Sequence, residues 1–242
     1  MQKGVQIMAD KIGIIGAMSV EVEQLKAVMQ EKSDIVKGGL TFSSGLLGGK
    51  PVVVVQSGVG KVNAALCAQR LILEFGVSRI INTGIAGAMA SGLGVLDFVV
   101  STGALYHDMD ATGFGYKVTQ IPQMDVSVFE ADREMVELAK STFGSMEMSK
   151  GHKIVAGLIA SGDQFISDRS RKEKIKSDCN PACVEMEGAA IAHACYLNKT
   201  PFVIIRCMSD MADDSGESTY DFNEKTAAEL SATLVMKMLG VI

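Results

Sequence analysis

The chain has 242 residues, 48% of them hydrophobic, and a formal charge of −5. This length buries a substantial core, and strand and helix patterns that alternate without a break in composition indicate one large α/β domain. The acidic balance and the lack of a long Lys/Arg run argue against nucleic acid or an anionic membrane as a partner held by charge, so we expect a small ligand.

The N-terminal ten residues carry no pattern, and we interpret residues 1–10 as a disordered extension and residues 11–242 as one domain. They lack the continuous apolar region of a signal peptide, and no apolar run reaches the roughly 18 residues of a membrane span. A cytoplasmic protein is therefore expected. The five cysteines have neither CxxC nor paired metal spacing and are predicted to be reduced thiols.

The first elements place a glutamate near the end of a strand. Residues 11–17, KIGIIGA, form a predicted buried strand, and residues 19–30 follow as a helix with Glu21 in its first turns. The ordinary interpretation of Glu21 is a first-turn carboxylate that the helix dipole stabilises. A role toward a ligand is the alternative, because the residue follows the end of a strand.

Glycine-rich segments follow the next strands. Two strands over 40–47 and 51–56 are joined by a GGK turn, and SGVGK leads into a helix over 61–75. Lys61 is followed by Val62 where a nucleotide-triphosphate loop has Ser or Thr, so we reject that loop. The glycines of SGVGK instead permit a tight turn or the close approach of a ligand.

The middle of the chain continues the alternation. Strands are predicted over 79–83, where GIAGA follows as a third glycine-rich turn, and over 95–101. Residues 106–122 then form a long loop without period, and its aromatic residues make simple disorder less favourable than binding or covering something. We interpret His107, Asp108 and Asp110 as a polar turn and predict no metal site. The remaining elements before residue 184 are helices over 131–143 and 168–179 and a strand over 154–159.

The segment over residues 184–213 combines a helix, a turn and a buried strand. The helix begins at Gly188, and the strand over 202–208 is apolar except for Arg206. The predicted buried face of the helix carries Ala190, Ile191, Ala194 and Leu197. A final helix is predicted over 222–239.

Two carboxylates stand out in this segment. Asp210 follows the end of the buried strand, where open parallel sheets place ligand-binding groups. Glu187 stands at the start of the helix, where capping is the ordinary interpretation.

Seven segments, in this order and spacing, resemble the 5′-methylthioadenosine/S-adenosylhomocysteine nucleosidases of the purine nucleoside phosphorylase superfamily. They are GIIGAMSVEVE, SGVGKVNAA, INTGIAGA, YHDMDATGFGY, ASGDQFI, VEMEGAAIAH and RCMSDMAD. The resemblance runs from residue 11 to the C-terminus. It implies a three-layer αβα sandwich around a mixed, partly closed sheet, a homodimer with shared active sites, and no cofactor.

The resemblance also implies a reaction. Such enzymes hydrolyse the N-glycosidic bond of 5′-methylthioadenosine and S-adenosylhomocysteine, with 5′-deoxyadenosine as a further substrate, and release adenine and the thioribose sugar. This serves methionine salvage and the removal of S-adenosylmethionine by-products. Glu21 would activate water, Asp210 would protonate N7 of adenine, and Glu187 would bind the ribose hydroxyls.

Further residues acquire expected roles from the resemblance. Met186 would pack beneath the ribose, Phe165 would stack on adenine, and the backbone of Ile166 would read the purine edge. Arg206 and Ser209 would support the Asp210 loop. The alkylthio group would be enclosed by Val59, Tyr220, Phe114 and Tyr116, the last two from a partner chain together with Pro122. The other implied substrate contacts are Met18, Ile85, Ala111, Glu185 and Ala212.

The chemistry of the bond supports these roles. Cleavage develops oxocarbenium charge on the sugar and negative charge on the leaving base, so one carboxyl should donate a proton and another should activate water. Asp210 must then be protonated when substrate binds, which Arg206 would oppose if it paired directly. Ile85 departs from the family, where Ser is often expected, and this puts a side-chain hydrogen bond from that turn in doubt.

Three other functions remain as alternatives. A phosphorylase would use phosphate in place of water, but the positions where relatives hold phosphate carry Glu21, Asn82 and Ile85. A hydrolase acting on futalosine or 6-amino-6-deoxyfutalosine would use the same constellation. A silent nucleoside-binding or sensor protein would have no need for two opposed carboxylates, whose burial is costly.

Overall fold

The computed structural model describes residues 10–213 and 220–241, with the side chains of residues 220–222 left out. Of the predicted extension only Asp10 is described, and its carboxylate accepts a hydrogen bond from Arg79 at 2.8 Å. The rest of that prediction lies outside the described residues. None of the helices in the described ranges has the length and apolar composition of a membrane span.

The described part of the chain contains ten strands and six α-helices. The strands are β1 Ile12–Gly16, β2 Gln30–Lys37, β3 Leu40–Leu47, β4 Lys50–Gln56, β5 Arg79–Ala88, β6 Phe98–Tyr106, β7 Phe129–Glu130, β8 Ile154–Ser161, β9 Cys183–Glu185 and β10 Phe202–Asp210. The helices are α1 Ser19–Ala27, α2 Lys61–Phe75, α3 Arg133–Gly144, α4 Arg169–Cys179, α5 Gly188–Asn198 and α6 Tyr220–Leu239.

All ten strands join one mixed sheet that closes partly on itself. The strand order is β10-β6-β8-β9-β5-β1-β4-β3-β2, and β10 also pairs with β5. The strands β10, β6, β8, β9 and β5 therefore form a closed five-stranded barrel, from which β1 to β4 extend. The parallel pairs β4–β1, β1–β5 and β5–β10 direct the carboxyl ends of four strands to one edge. The predicted mixed, partly closed sheet is confirmed.

Helices cover the sheet as two outer layers. On one side α6 packs against β5 and β10 and contacts α1 and α3, and on the other side α2 and α5 pack against each other. The middle of the sheet is buried on both faces, and every residue of β1 and β10 is buried. This is the predicted three-layer α/β arrangement, with the apolar runs of the sequence in its middle layer.

Two predictions about surface and edge were wrong. Leu197, assigned to the buried face of α5, is 66% exposed. The strand β2 was missed because its sequence, QEKSDIVK, lies at the edge of the sheet with every residue exposed, so no apolar alternation marks it. Both errors concern exposed positions, where the sequence has no pattern that burial would require.

The predicted third glycine-rich turn is not a turn. GIAGA continues β5 as far as Ala88, and β10 pairs with it through Gly84 and Gly87. A Cβ atom on Gly84 would collide with the carboxylate of Glu21, and one on Gly87 would lie 2.9 Å from Asp210 Oδ1. These glycines therefore make room for carboxylates against the strand rather than reversing the chain.

Candidate active site

A cavity opens to solvent where the carboxyl ends of β1, β5 and β10 meet the start of α5, and the space in it and in its open mouth is about 600 Å³. The lining consists of Ala17, Met18, Glu21, Val59, Ile85, Ala86, Gly87, Gln164, Phe165, Ile166, Val184, Glu185, Met186, Glu187, Ser209 and Asp210. Among the described residues, the lining contains four carboxylates and no Lys, Arg or His.

Glu21 caps its own helix and also faces the cavity. Its Oε2 accepts the N–H groups of Ala17 at 2.6 Å and Met18 at 2.9 Å, and its Oε1 accepts the N–H of Ile85 on β5 at 3.1 Å. Burial raises the pKa of Glu21 above its usual value, while Arg206 and these N–H donors act against that shift. The raised pKa makes Glu21 a stronger base than an exposed glutamate. Glu21 thus has the first-turn position of its ordinary interpretation, and its role toward a ligand stays a prediction.

Glu185, rather than Glu187, satisfies the start of α5. Glu185 Oε2 accepts the N–H groups of Glu187 at 3.1 Å and Gly188 at 2.7 Å, and Ser161 donates to Glu185 Oε1. The carboxylate of Glu187 makes no cap hydrogen bond to α5 and instead accepts the N–H of Gly60 at 2.9 Å. The capping interpretation of Glu187 was wrong, since its neighbour takes that role.

One guanidinium lies among the carboxylates. Arg206 is 2% exposed, donates to Glu185 Oε2 and to Asn82 Oδ1 at 2.7 Å, and approaches Glu187 Oε2 at 4.0 Å. Burial, and then the neighbouring Glu185, raise the pKa of Glu187 to about 7. A single positive charge thus stands against three buried glutamates, and a glutamate that retains its proton near neutral pH follows from this imbalance.

Asp210 is held by the segment that contains it. Ser209 Oγ donates to Asp210 Oδ2 at 2.8 Å, and the N–H of Ala212 donates to Asp210 Oδ1 at 2.7 Å. Arg206, on the same strand, binds Glu185 and makes no hydrogen bond to Asp210. Of the two residues expected to support the Asp210 loop, Ser209 contacts Asp210 directly, whereas Arg206 binds Glu185.

Solved structures share this architecture at high sequence identity. A 5′-methylthioadenosine/S-adenosylhomocysteine nucleosidase from Colwellia psychrerythraea, solved in complex with adenine, is 43% identical with a TM-score of 0.90 over 96% of each chain. The enzyme of that name from Neisseria meningitidis, in complex with methylthio-immucillin-A, is 38% identical with a TM-score of 0.91 over 96% of this chain and 100% of the other. The phosphorylase superfamily matches residues 11–240.

The chain belongs to the 5′-methylthioadenosine/S-adenosylhomocysteine nucleosidase family of the phosphorylase superfamily. A futalosine hydrolase from Helicobacter pylori shares the fold with a TM-score of 0.90 over 97% of this chain and 99% of the other, at a lower identity of 31%. The order of these identities favours the nucleosidases.

Most residues expected from the nucleosidase resemblance lie together. Phe165 projects at the mouth with 54% of its surface exposed, Ile166 is buried behind it, and Val59 lines the same opening. Ile85 brings an apolar side chain to the lining, and its N–H, rather than a side-chain hydroxyl, contacts Glu21.

Other expected residues lie outside the lining of this single chain. Arg206 and Ala212 stand behind the carboxylates that they contact. Phe114 is 89% exposed, and Ala111, Tyr116 and Pro122 are half-buried away from the cavity. The expected contact of Ala111 with substrate stays a prediction. Tyr220 begins α6, and its side chain lies outside the described residues.

Sequence reasoning missed several residues that shape the site. Ser161 donates to Glu185, and its Oγ also accepts the N–H of Ala189 at 2.7 Å, which locks β8 to the start of α5. Asn82 holds Arg206 and donates to the carbonyl of Ile15 at 2.9 Å. The sequence feature that could have identified Ser161 and Asn82 is their position as polar residues in or at the end of apolar strands. The lining residues Ala17, Ala86, Gly87 and Val184 were missed because small or apolar side chains carry no chemical signal, and the polar Gln164 was missed as well.

Proposed function

We propose that the protein hydrolyses the N-glycosidic bond of 5′-methylthioadenosine and S-adenosylhomocysteine and releases adenine. The observation that carries this proposal is the placement of Glu21 and Asp210 at two points of one cavity. Gly84 and Gly87, which make room for these carboxylates, are three residues apart along β5, and a strand rises by about 3.3 Å per residue. Glu21 and Asp210 thus lie against different positions of β5 and both line the cavity, as a base and an acid that act on opposite sides of one bond require.

Glu21 is the base of the proposed reaction. Its backbone N–H donors and the nearby Arg206 favour the ionised form, while burial keeps it basic, so it accepts a proton from a water at the sugar. Glu187 lies next to the same space and binds ribose hydroxyls as an acceptor or, when protonated, as a donor.

Asp210 is the acid. Protonation of N7 neutralises the negative charge that develops on adenine as the bond to the sugar breaks. Phe165 and Ile166 on the facing loop supply an apolar surface for the purine ring, with Met186 beneath the ribose. Stacking on an aromatic ring fixes the plane of the base and so the direction of N7.

Water rather than phosphate is the proposed nucleophile because of the charge of the site. The described lining offers four carboxylates and no cationic side chain, and Arg206 is already bound to Glu185. Phosphate would be repelled by Glu21, whereas water is activated by it. A silent binding protein is disfavoured for a related reason, since buried carboxylates without a catalytic use are costly to retain.

A second copy of the chain is the proposed partner. Helix α2 presents Val62, Leu66 and Leu73 to solvent, and Val62 is 70% exposed. This apolar stripe begins next to Val59 at the cavity mouth, and the exposed Leu197 lies on the neighbouring α5. Apolar surface of this extent favours association. In such a dimer Phe114, Tyr116 and Pro122 of one chain would close the pocket of the other.

The cytoplasm is the proposed location. All five cysteines are free thiols in the structure, and a reducing compartment keeps thiols in that state.

The first test follows the products. Incubation with 5′-methylthioadenosine should release adenine and free methylthioribose at the same rate with and without phosphate, as measured by chromatography of both products. A ribose 1-phosphate product would contradict hydrolysis. Cleavage of 6-amino-6-deoxyfutalosine with a much higher kcat/KM than 5′-methylthioadenosine would favour the futalosine function instead.

The second test removes the acid. Asp210→Asn keeps the shape of the side chain but has no proton to donate, so kcat should fall about 10²- to 10⁴-fold with the melting temperature retained. Glu21→Gln should be similarly slow and still bind substrate analogues. Asp34→Asn, on the exposed strand β2, is the matched control and should keep wild-type activity. Turnover of Asp210→Asn within twofold of wild type would rule out this acid.

The third test asks whether the pocket is shared between chains. An Asp210→Asn chain is mixed with a Phe114→Ala chain under conditions that exchange subunits. If Phe114 acts on the partner's site, each mixed dimer contains one intact site, and activity should rise above that of both parents. If exchange is confirmed by mass and activity does not rise, the shared pocket is refuted.

A further inference from the structure

The backbone beyond Asp210 has a conformation that needs outside support. Ala212, whose N–H donates to Asp210 Oδ1, has a φ of 52°, which L-residues other than Gly disfavour. The pairing of β10 with β5 also shifts between Met208 and Asp210. The carboxylate of Asp210 is therefore oriented by residues that follow β10 and are not paired in the sheet.

A lysine from a distant helix supplies this support. The ammonium of Lys172, on α4, donates to the carbonyl of Met211 and to Asp213 Oδ2 at 3.1 Å. It thus contacts the residues on both sides of Ala212. The side chain of Lys172 is 12% exposed, so these contacts are better shielded from water than those of a surface lysine.

Helix α4 has few other ties to the core. Ile175 is its one fully buried residue, and the helix begins after the segment that carries Phe165 and Ile166. Lys172 therefore connects α4, which follows the loop of Phe165 and Ile166, to residues 211–213, which orient Asp210. Arg169 and Lys176 line the same cleft as Lys172.

We infer that Lys172 is a positioning residue for Asp210. By holding Met211 and Asp213 it keeps Ala212 in the left-handed conformation, with its N–H on Asp210 Oδ1, so that the acid points at the leaving base. Lys172 does not touch the substrate. The inference rests on the proposed role of Asp210.

The test compares two lysines of α4. Lys172→Met keeps the length of the side chain and removes its charge, and it should lower kcat about tenfold or more with little change in KM, because small misplacements of a catalytic group are costly. Lys176→Met, one turn further along the same helix, is the control and should stay within twofold of wild type. Lys172→Arg should restore much of the lost kcat, since it retains a cationic donor.

A double mutant separates positioning from general stability. In the Asp210→Asn background, Lys172→Met should change the residual turnover by less than twofold, because the group it positions no longer acts. If Lys172→Met lowers the yield of folded protein, Lys172→Gln replaces it in the same comparison.

Two results would overturn the inference. One is a kcat of Lys172→Met equal to that of Lys176→Met. The other is a full additional loss in the Asp210→Asn background. Both are distinct from failure of the proposed function, which would appear as an active Asp210→Asn enzyme.

Discussion

The site depends on one buried guanidinium that stands among three buried glutamates. Arg206 binds Glu185 directly, lies within 4.0 Å of Glu187 and acts on Glu21 through its charge. Removing charged groups from water is costly unless they are paired and hydrogen-bonded, and one positive charge does not balance three negative ones. The excess negative charge is stabilised by backbone N–H donors and is lowered by the raised pKa values of Glu21 and Glu187.

This imbalance explains how similar side chains take different roles. Glu185 accepts the N–H groups at the start of α5 as well as Arg206, and so serves the fold. Glu187 accepts only one backbone N–H, that of Gly60, and faces the cavity. Glu21 is tied to two chain segments and faces the cavity from the other strand end. Asp210 accepts hydrogen bonds from Ser209 and from the N–H of Ala212, and it is not hydrogen-bonded to the guanidinium.

Sequence patterns were sufficient wherever burial imposes a period. The helix predicted over 61–75 has the observed bounds of α2, and the helix predicted from Gly188 is α5. Glu21, Glu187 and Asp210, which the resemblance had assigned to one site, line one cavity. They do so because they follow or precede buried strands whose ends converge.

What sequence patterns did not supply depends on tertiary contacts. The glycines of GIAGA look like a turn, yet they continue the strand β5. Glycine occurs there because carboxylates lie too close to the strand for a larger side chain. Glu185 binds the start of α5 and Glu187 does not, because the two side chains point in different directions. Spacing in the sequence alone does not determine these directions. The link from Lys172 to residues 211–213 spans about forty positions of sequence and has no local pattern.

The most direct measurement of the charge imbalance is the pH dependence of unfolding in wild type and Glu187→Gln. A glutamate whose folded pKa is about 7, above its unfolded value, contributes stability below the unfolded pKa and loses it as pH rises through the folded pKa. Between pH 5 and pH 8, wild type should therefore lose on the order of 1–3 kcal/mol of unfolding free energy relative to Glu187→Gln. Glu23→Gln, at an exposed position of α1, should run parallel to wild type. A difference that is constant with pH, or that favours wild type as pH rises, would contradict the account.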